Sequence, residues 1–407
     1  MLLRNCRYLV TQNAARDILE RVDVLIEDNC IKEVGKGLAR RFPKEESVDC
    51  SERIVMPGLI NAHTHLGMSG MRGFSDDKEL AAWLAEIIEA EHARDHKQIL
   101  AEATLGVKEC IRLGTTCCCD MYSPGDVAAE AAAKSGMRLV NCPAFFTAHH
   151  ALSANDIVKH LPVKRYPSII SMALGPHSIY GTDEGFLKAT RAFATEHKMI
   201  IHIHVAETRK ERVECKERTG LLPVEYLDSI GFLGPDVLIA HAVWLTKGEL
   251  DILAARGVKV VHCPQSNMKL AGGGVMPLAE MHERGIVVAL GTDSAASNNS
   301  LDMFREMHTA ALLHKHHYWD ATAAPAQTVL DMATRDGARA LGLSDVGSIE
   351  PGKLADVILL DTTDINLQPL AKERIVSHLV YSASGLNVSE VIVDGKLLIR
   401  DKKFPIR

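Results

Sequence analysis

The stretch IVMPGLINAHTHLGM, Ile54 to Met68, places two histidines one residue apart behind an apolar run and a Pro-Gly break. In a β-strand, residues i and i+2 point to the same face. His63 and His65 therefore stand side by side at the end of a buried strand. That arrangement suits one shared metal ion, and it equally suits two hydrogen-bonded polar groups at a strand end. The rest of the chain has to decide between them.

Seven further short apolar runs, mostly β-branched, follow it and alternate with helical patterns as far as about residue 342. They are TTCCCDMY (115–122), RLVNCPAFF (138–146), SIISMALGPH (168–177), MIIHIHVAE (199–207), VLIAHAVW (237–244), VKVVHCPQSN (258–267) and VVALGTDSA (287–295). Amphipathic stretches such as HKQILAEATLGVKECIRLG (96–114) lie between them, several closed by a glycine cap. Eight strand–helix units predict an α/β fold, a (β/α)8 TIM barrel over residues 58–349. The flanks read differently. Residues 1–57 and 350–407 carry strand-like pieces (VDVLIEDNCIKEVG, LADVILLD, EVIVDGKLLIRD) with hairpin-type turns at Glu27-Asp28-Asn29 and Asp394-Gly395. Neither flank is large enough to fold alone, so the two are expected to build one small composite β-sandwich beside the barrel.

Composition narrows the function. The 407 residues are 47% hydrophobic and 24% charged, enough for a large core. A net charge of −6 with no basic run argues against nucleic acid as a partner. No apolar stretch approaches the roughly 20 residues of a membrane helix. Arg4, Asn5 and Arg7 break up the only apolar segment near the start, which argues against a signal peptide. Ten cysteines, three of them consecutive at 117–119 and none in a CxxC, read as reduced core thiols of a cytoplasmic protein. A homo-oligomer is compatible with all this, and the sequence sets no oligomeric state.

Barrel enzymes keep their chemistry at the C-terminal ends of the strands. Those ends carry His63 and His65, His177, His204 followed by Glu207, His241, Asn267 and Asp293. Histidines and carboxylates recur at the rim of at least five strands, which tips the balance toward a metal. Imidazole nitrogens with a carboxylate oxygen suit zinc, iron or manganese better than calcium. Several other histidines read as structural. His202 lies one layer deeper than His204 and reads as barrel packing, and His262 is open between a core and a functional role. His314, His316 and His317 read as solvated surface. His149 and His150, after the third run, are within reach of a substrate.

Six motifs then carry a resemblance: MPGLINAHTH, GPHSIY, HIHVAET, AHAVWL, GTDSAASNNSLDMF and GSIEPGKLADVILLD. Together they resemble the amidohydrolase superfamily, and within it the branch of 5'-methylthioadenosine/S-adenosylhomocysteine deaminases, near the triazine hydrolases and guanine deaminases. The likeness spans nearly the whole chain. It implies one divalent metal, zinc first and iron or manganese as alternatives, bound by His63, His65, His204 and Asp293. No lysine ends the fourth run, where two-metal members carry one, so the site is expected to be mononuclear.

The resemblance also implies roles. Asp293 takes a proton from the attacking water, His241 orients that water, and Glu207 is the general acid/base that ferries a proton to the ring nitrogen. His177 contacts the purine and Trp83 packs near the nucleoside. An acidic residue about nine positions after Trp83 would grip the ribose, which favours Glu91 over its neighbour His92. The reaction implied is hydrolytic deamination of an adenine nucleoside (5'-methylthioadenosine, S-adenosylhomocysteine, adenosine or 5'-deoxyadenosine). The same site would also suit guanine, cytosine, a pterin or a triazine. A non-catalytic homologue is disfavoured because every implied ligand is present. Three departures bear on the substrate. No arginine ends the third run, with Arg165 the remaining candidate for a substrate carboxylate. Ser294 stands in place of a glycine. Cys263 and Gln265 replace the usual residues after the seventh run.

Overall fold

The computed structural model of this chain describes residues 1–78, 80–147, 161 and 166–404, with the side chains at 80 and 81 left aside. His149, His150 and Arg165 lie outside the described residues. Eight parallel strands form the barrel: β1 (Leu59–Thr64), β2 (Thr115–Tyr122), β3 (Arg138–Phe145), β4 (Ile170–Met172, resumed at Gly175–Pro176), β5 (Ile201–Val205), β6 (Val237–His241), β7 (Lys259–His262) and β8 (Val288–Leu290). Strands β1 to β4 hydrogen-bond in sequence order, and so do β5 to β8. Single parallel bridges close the two seams, Leu174 to Ile201 and Ser178 to His204 on one side, Thr64 to Asp293 on the other. Strands β2, β5 and β6 are buried along their whole length, on both faces, as in a parallel sheet covered on each side.

The opening stretch is split by its Pro-Gly break. Arg53–Pro57 belongs to a six-stranded sheet outside the barrel, and the chain enters β1 only after Gly58. That sheet mixes the two ends of the chain: Lys396–Ile399, Val388–Val393 and Val357–Asp361 lie beside Arg53–Pro57, Tyr8–Val10 and Ile18–Leu19. A four-stranded sheet of N-terminal residues (Cys30–Gly35, Val22–Glu27, Leu2–Cys6, Ser47–Asp49) packs on it through Leu3, Val24, Ile26, Val55, Val357 and Ile392. The C-terminal flank also contributes a helix, Ile375–Tyr381, whose Ile375, Leu379 and Val380 join the barrel's core. The two expected hairpin turns dock tip to tip. A Cβ on residue 395 would lie 2.1 Å from the Asp28 carbonyl oxygen, and φ there is +74°, so only glycine fits.

Among the described residues no helix is long and apolar enough to cross a membrane. All ten cysteines are free, and Cys117, Cys118 and Cys119 are buried in β2. Two helices follow β1 and shape the barrel's open end: α1 (Leu80–His92) and α2 (His96–Arg112), the latter capped by the Asp95 side chain on the Gln98 N–H.

A buried ion pair joins the barrel to the sandwich. Arg138, the first residue of β3, donates to both oxygens of Asp356 at 2.7 and 2.9 Å and to Asp394 at 3.3 Å. Arg138 and Asp356 are both buried. Removing one partner of such a pair leaves the other charge uncompensated and costs about 3–5 kcal/mol. Arg138→Met is therefore expected to lower the melting temperature by several degrees, read by circular dichroism, and an unchanged melting temperature would contradict this.

Candidate active site

The open end of the barrel holds a cavity of about 410 Å³. At its floor the rings of His63, His65, His204 and His241 crowd together, with centroids 4.8 to 5.5 Å apart. Strand alternation brings His63 and His65 to one face of β1's end, as expected. His204 comes from β5, His241 from β6 and Asp293 from the turn after β8.

Each ring is held from behind. His65 Nδ1 bonds the Met121 carbonyl, and His204 Nδ1 bonds the His177 carbonyl at 2.7 Å. A carbonyl only accepts, so both Nδ1 atoms carry protons and their Nε2 atoms face the cluster. His63 reaches the same state by a relay. His202 Nδ1 donates to the Leu238 carbonyl (3.1 Å), its Nε2 accepts from His63 Nδ1 (2.7 Å), and His63 Nε2 is left with no hydrogen-bond partner. His202 is thus more than barrel packing: it orients His63. His241 Nδ1 donates to Asn267 Oδ1 (2.9 Å), which turns its Nε2 toward Glu207, 3.9 Å away.

Asp293 closes the cluster. Its Oδ1 lies 3.1 Å from His65 Nε2 and 3.5 Å from His63 Nε2. Its Oδ2 accepts from the hydroxyls of Ser266 (2.5 Å) and Ser297 (2.8 Å). Burial alone would raise the Asp293 pKa, but the His63 and His65 imidazoles set against its Oδ1 bring it well below the ordinary range. Burial lowers His63 to about 4 and His204 well below its usual value, which keeps their inward nitrogens bare. Burial also works against charge on His65, yet Asp293 raises it to about 9. A cation between that pair would take the proton's place. Two overlapping groups of donor atoms, His63 with His204 and His241, and His63 with His65 and Asp293, lie close enough to share an ion, and imidazole nitrogens with a carboxylate fit a divalent ion of the zinc type.

The walls carry the remaining expected residues. Trp83, Leu84, Ile87, Ile88 and Glu91 line one side from α1, and His92 does not reach the cavity. His177 sits opposite, stacked on Phe146 at 4.3 Å, with burial lowering it to about 3. Glu207 is swung over the floor by a turn in which Ala206 takes φ +54°. The buried Glu211 carboxylate locks that turn, accepting the N–H groups of Ala206 and Glu207 at 2.9 Å each. The sequence reading missed Glu211, although Thr208-x-x-Glu211 is a capping-box pattern that could have flagged it.

Three further expectations are refined. His314 is buried rather than solvated, its Nε2 3.1 Å from His262 Nε2, whereas His316 and His317 are exposed. This places His262 in that buried pair, away from the cavity lining. A helical position facing β7 buried His314, which no local pattern in LLHKHHYWD distinguishes from its neighbours. Of the three departures from the expected motifs, Ser294 reaches the cavity and caps the helix Ala295–Asn298. Cys263 is buried in the barrel interior, and neither it nor Gln265 lines the cavity.

The amidohydrolase family model matches residues 54–398, a span covering the barrel and the last sandwich strands. The chain belongs to the amidohydrolase family. Among curated members it is 45% identical to a 5'-deoxyadenosine deaminase of Methanothermobacter thermautotrophicus, an alignment covering 95% of this chain and 91% of the relative. It is 41% identical to a 5-methylthioadenosine/S-adenosylhomocysteine deaminase of Nitratidesulfovibrio vulgaris, over 97% and 90% of the two chains. Of solved amidohydrolase structures, an adenosine deaminase from Xanthomonas campestris with bound zinc superposes with a TM-score of 0.93 at 33% identity, covering 99% of this chain and 94% of that one.

Proposed function

We propose that this chain is a metal-dependent hydrolase that deaminates adenine nucleosides, with one divalent ion, zinc by preference, held by His63, His65, His204 and Asp293. The observation that carries the reading is the convergence of three braced Nε2 atoms and Asp293 beneath an apolar cavity that also presents Glu207 and His177. The deaminase names of the relatives at 41–45% identity support the nucleoside class.

A divalent ion held by these residues would supply the nucleophile, since such ions lower the pKa of a bound water to about 7. The protein's own groups do the rest. Asp293, its carboxylate held by Ser266 and Ser297, accepts the water's proton. His241, fixed by Asn267, orients the attacking oxygen from the other side. Glu207, aimed by Glu211, carries a proton to the ring nitrogen beside the amino-bearing carbon and then to the departing amine, which leaves as ammonia. Ser178 Oγ already accepts the Gly181 N–H, so its own proton can go to His177 Nδ1 at 3.1 Å. That leaves His177 Nε2–H as a donor to a purine nitrogen, with Trp83 and Ile87 packing on the nucleoside and Glu91 placed for the ribose.

Ammonia release from adenosine, 5'-deoxyadenosine, 5'-methylthioadenosine and S-adenosylhomocysteine, set against guanine, cytosine, a pterin and a triazine, tests the substrate class. Turnover of the nucleosides is expected, and turnover confined to the other heterocycles would replace this reading.

The proton role has its own outcome. Glu207→Gln should keep the metal content of the native protein while kcat falls at least about 100-fold. Loss of metal with kcat per bound ion preserved would instead make Glu207 a brace for His204.

The 5' end of the substrate follows from charge. Among the described lining residues the one cation, Lys210, is exposed and lies 3.6 Å from Glu214. An exposed contact of that kind adds only about 0–1 kcal/mol. Values of kcat/KM for 5'-methylthioadenosine and S-adenosylhomocysteine should therefore differ by less than about tenfold, or favour the uncharged substrate. A 100-fold advantage for S-adenosylhomocysteine would point to a second cation, with Arg165 first in line.

A further inference from the structure

The end of α1 carries a charged cluster that the deamination steps do not use. Arg94 donates from Nη1 to the Gly67 carbonyl at 2.8 Å and to Glu102. From Nη2 it donates to the Tyr122 hydroxyl at 2.7 Å and, more weakly, to Glu91 Oε1 at 3.4 Å. Tyr122 donates its own O–H to the same Glu91 Oε1 at 3.0 Å. The Arg94 side chain is only 6% exposed. Two carboxylates thus face one buried guanidinium, and the surplus acceptor capacity falls on Glu91. Its Oε2 has no partner among the described residues, and Glu91 lines the cavity. A carboxylate oxygen with free lone pairs at a cavity wall is completed by donors from a ligand.

Tyr122 is itself held in one place. A Cβ on residue 67 would lie 2.3 Å from Tyr122 Cε1, so the ring lies against the backbone just after His65. The neighbouring Met121 supplies the carbonyl that orients His65. Glu91 is therefore tied through Tyr122 to the strand end that positions the histidine cluster. Helix α1 alone, anchored at one wall, would not fix that offset.

We propose that Tyr122 and Arg94 are positioning residues that hold one oxygen of Glu91 and aim the other at the 2',3'-diol of the substrate's ribose. The inference rests on the adenine-nucleoside reading above. A vicinal diol is neutral and offers two O–H donors, matching an acceptor that already carries excess negative charge. The cluster then selects ribonucleosides at the binding step and leaves the chemical step alone.

Steady-state kinetics on adenosine and 2',3'-dideoxyadenosine test this with the native enzyme, Tyr122→Phe, Glu91→Gln and the double variant, at equal metal content. Tyr122→Phe keeps the ring against Gly67 and removes only the hydroxyl. It should raise KM for adenosine about tenfold, the scale of one charge-assisted hydrogen bond, with kcat little changed and no effect on the dideoxy substrate. Glu91→Gln should erase the preference for the diol, and the double variant should be no worse than Glu91→Gln. Equal losses on both substrates, or losses that multiply in the double variant, would overturn the proposal. If Tyr122→Phe fails to fold, Arg94→Lys keeps the charge beside Glu102, loses the planar fork and is read by the same criteria. A native enzyme that turns over neither nucleoside would remove the underlying reading, whereas turnover indifferent to the diol would remove only this inference.

Discussion

The peptide carbonyls of Met121, His177 and Leu238 can only accept hydrogen bonds, so each one fixes which nitrogen of the facing histidine carries the proton. The orientation of three of the four rings at the floor of the barrel depends on that restriction. Met121 and His177 act directly on His65 and His204, and Leu238 acts on His63 through His202. Because the carbonyls belong to strand ends, the barrel's hydrogen-bond ladder and the orientation of the imidazoles are one structure. A shift of one strand would turn a lone pair away from the cluster. Preorganisation of this kind is what lets an ion be held without reorganising the protein around it.

The same logic extends outward from the floor. Glu211 fixes the turn carrying Glu207, Asn267 fixes His241, and Ser266 with Ser297 fixes one oxygen of Asp293. Each group that the proposed mechanism sets against the reacting atoms is thereby held by a second group that it does not use. The cavity wall is built differently. Helix α1 supplies an apolar surface whose one charged member, Glu91, is tied back to β2 through Tyr122. The floor is polar and cross-braced, while the wall is largely apolar. That division suits one chemistry applied to substrates that vary at the 5' end.

The barrel was legible in the chain because parallel strands buried on both faces read as continuous apolar runs separated by amphipathic stretches. The cluster was legible for a related reason. Period-two alternation forces His63 and His65 to one face, and strand ends converge in any such barrel. Legibility failed where long-range contacts decide. Nothing local distinguishes His202, which orients His63, from a packing residue, because its partner lies 139 positions away. His314 looked like a surface histidine until β7 was packed against its helix. The break at Pro57-Gly58 was visible as the end of the N-terminal flank, but the apolar run across it hid that Arg53–Pro57 and β1 are separate strands in different sheets. Glu211 could have been found from its capping pattern, since its partners are local.

The central claim is that this braced set of nitrogens and one carboxylate binds a single ion. Elemental analysis of the native protein, purified without chelators and compared with Asp293→Ala and His65→Ala, tests it most directly. About one zinc, iron or manganese per native chain, sharply reduced in both variants, is the predicted result. A native metal content near zero with deaminase activity intact, or two stoichiometric ions per chain, would contradict it.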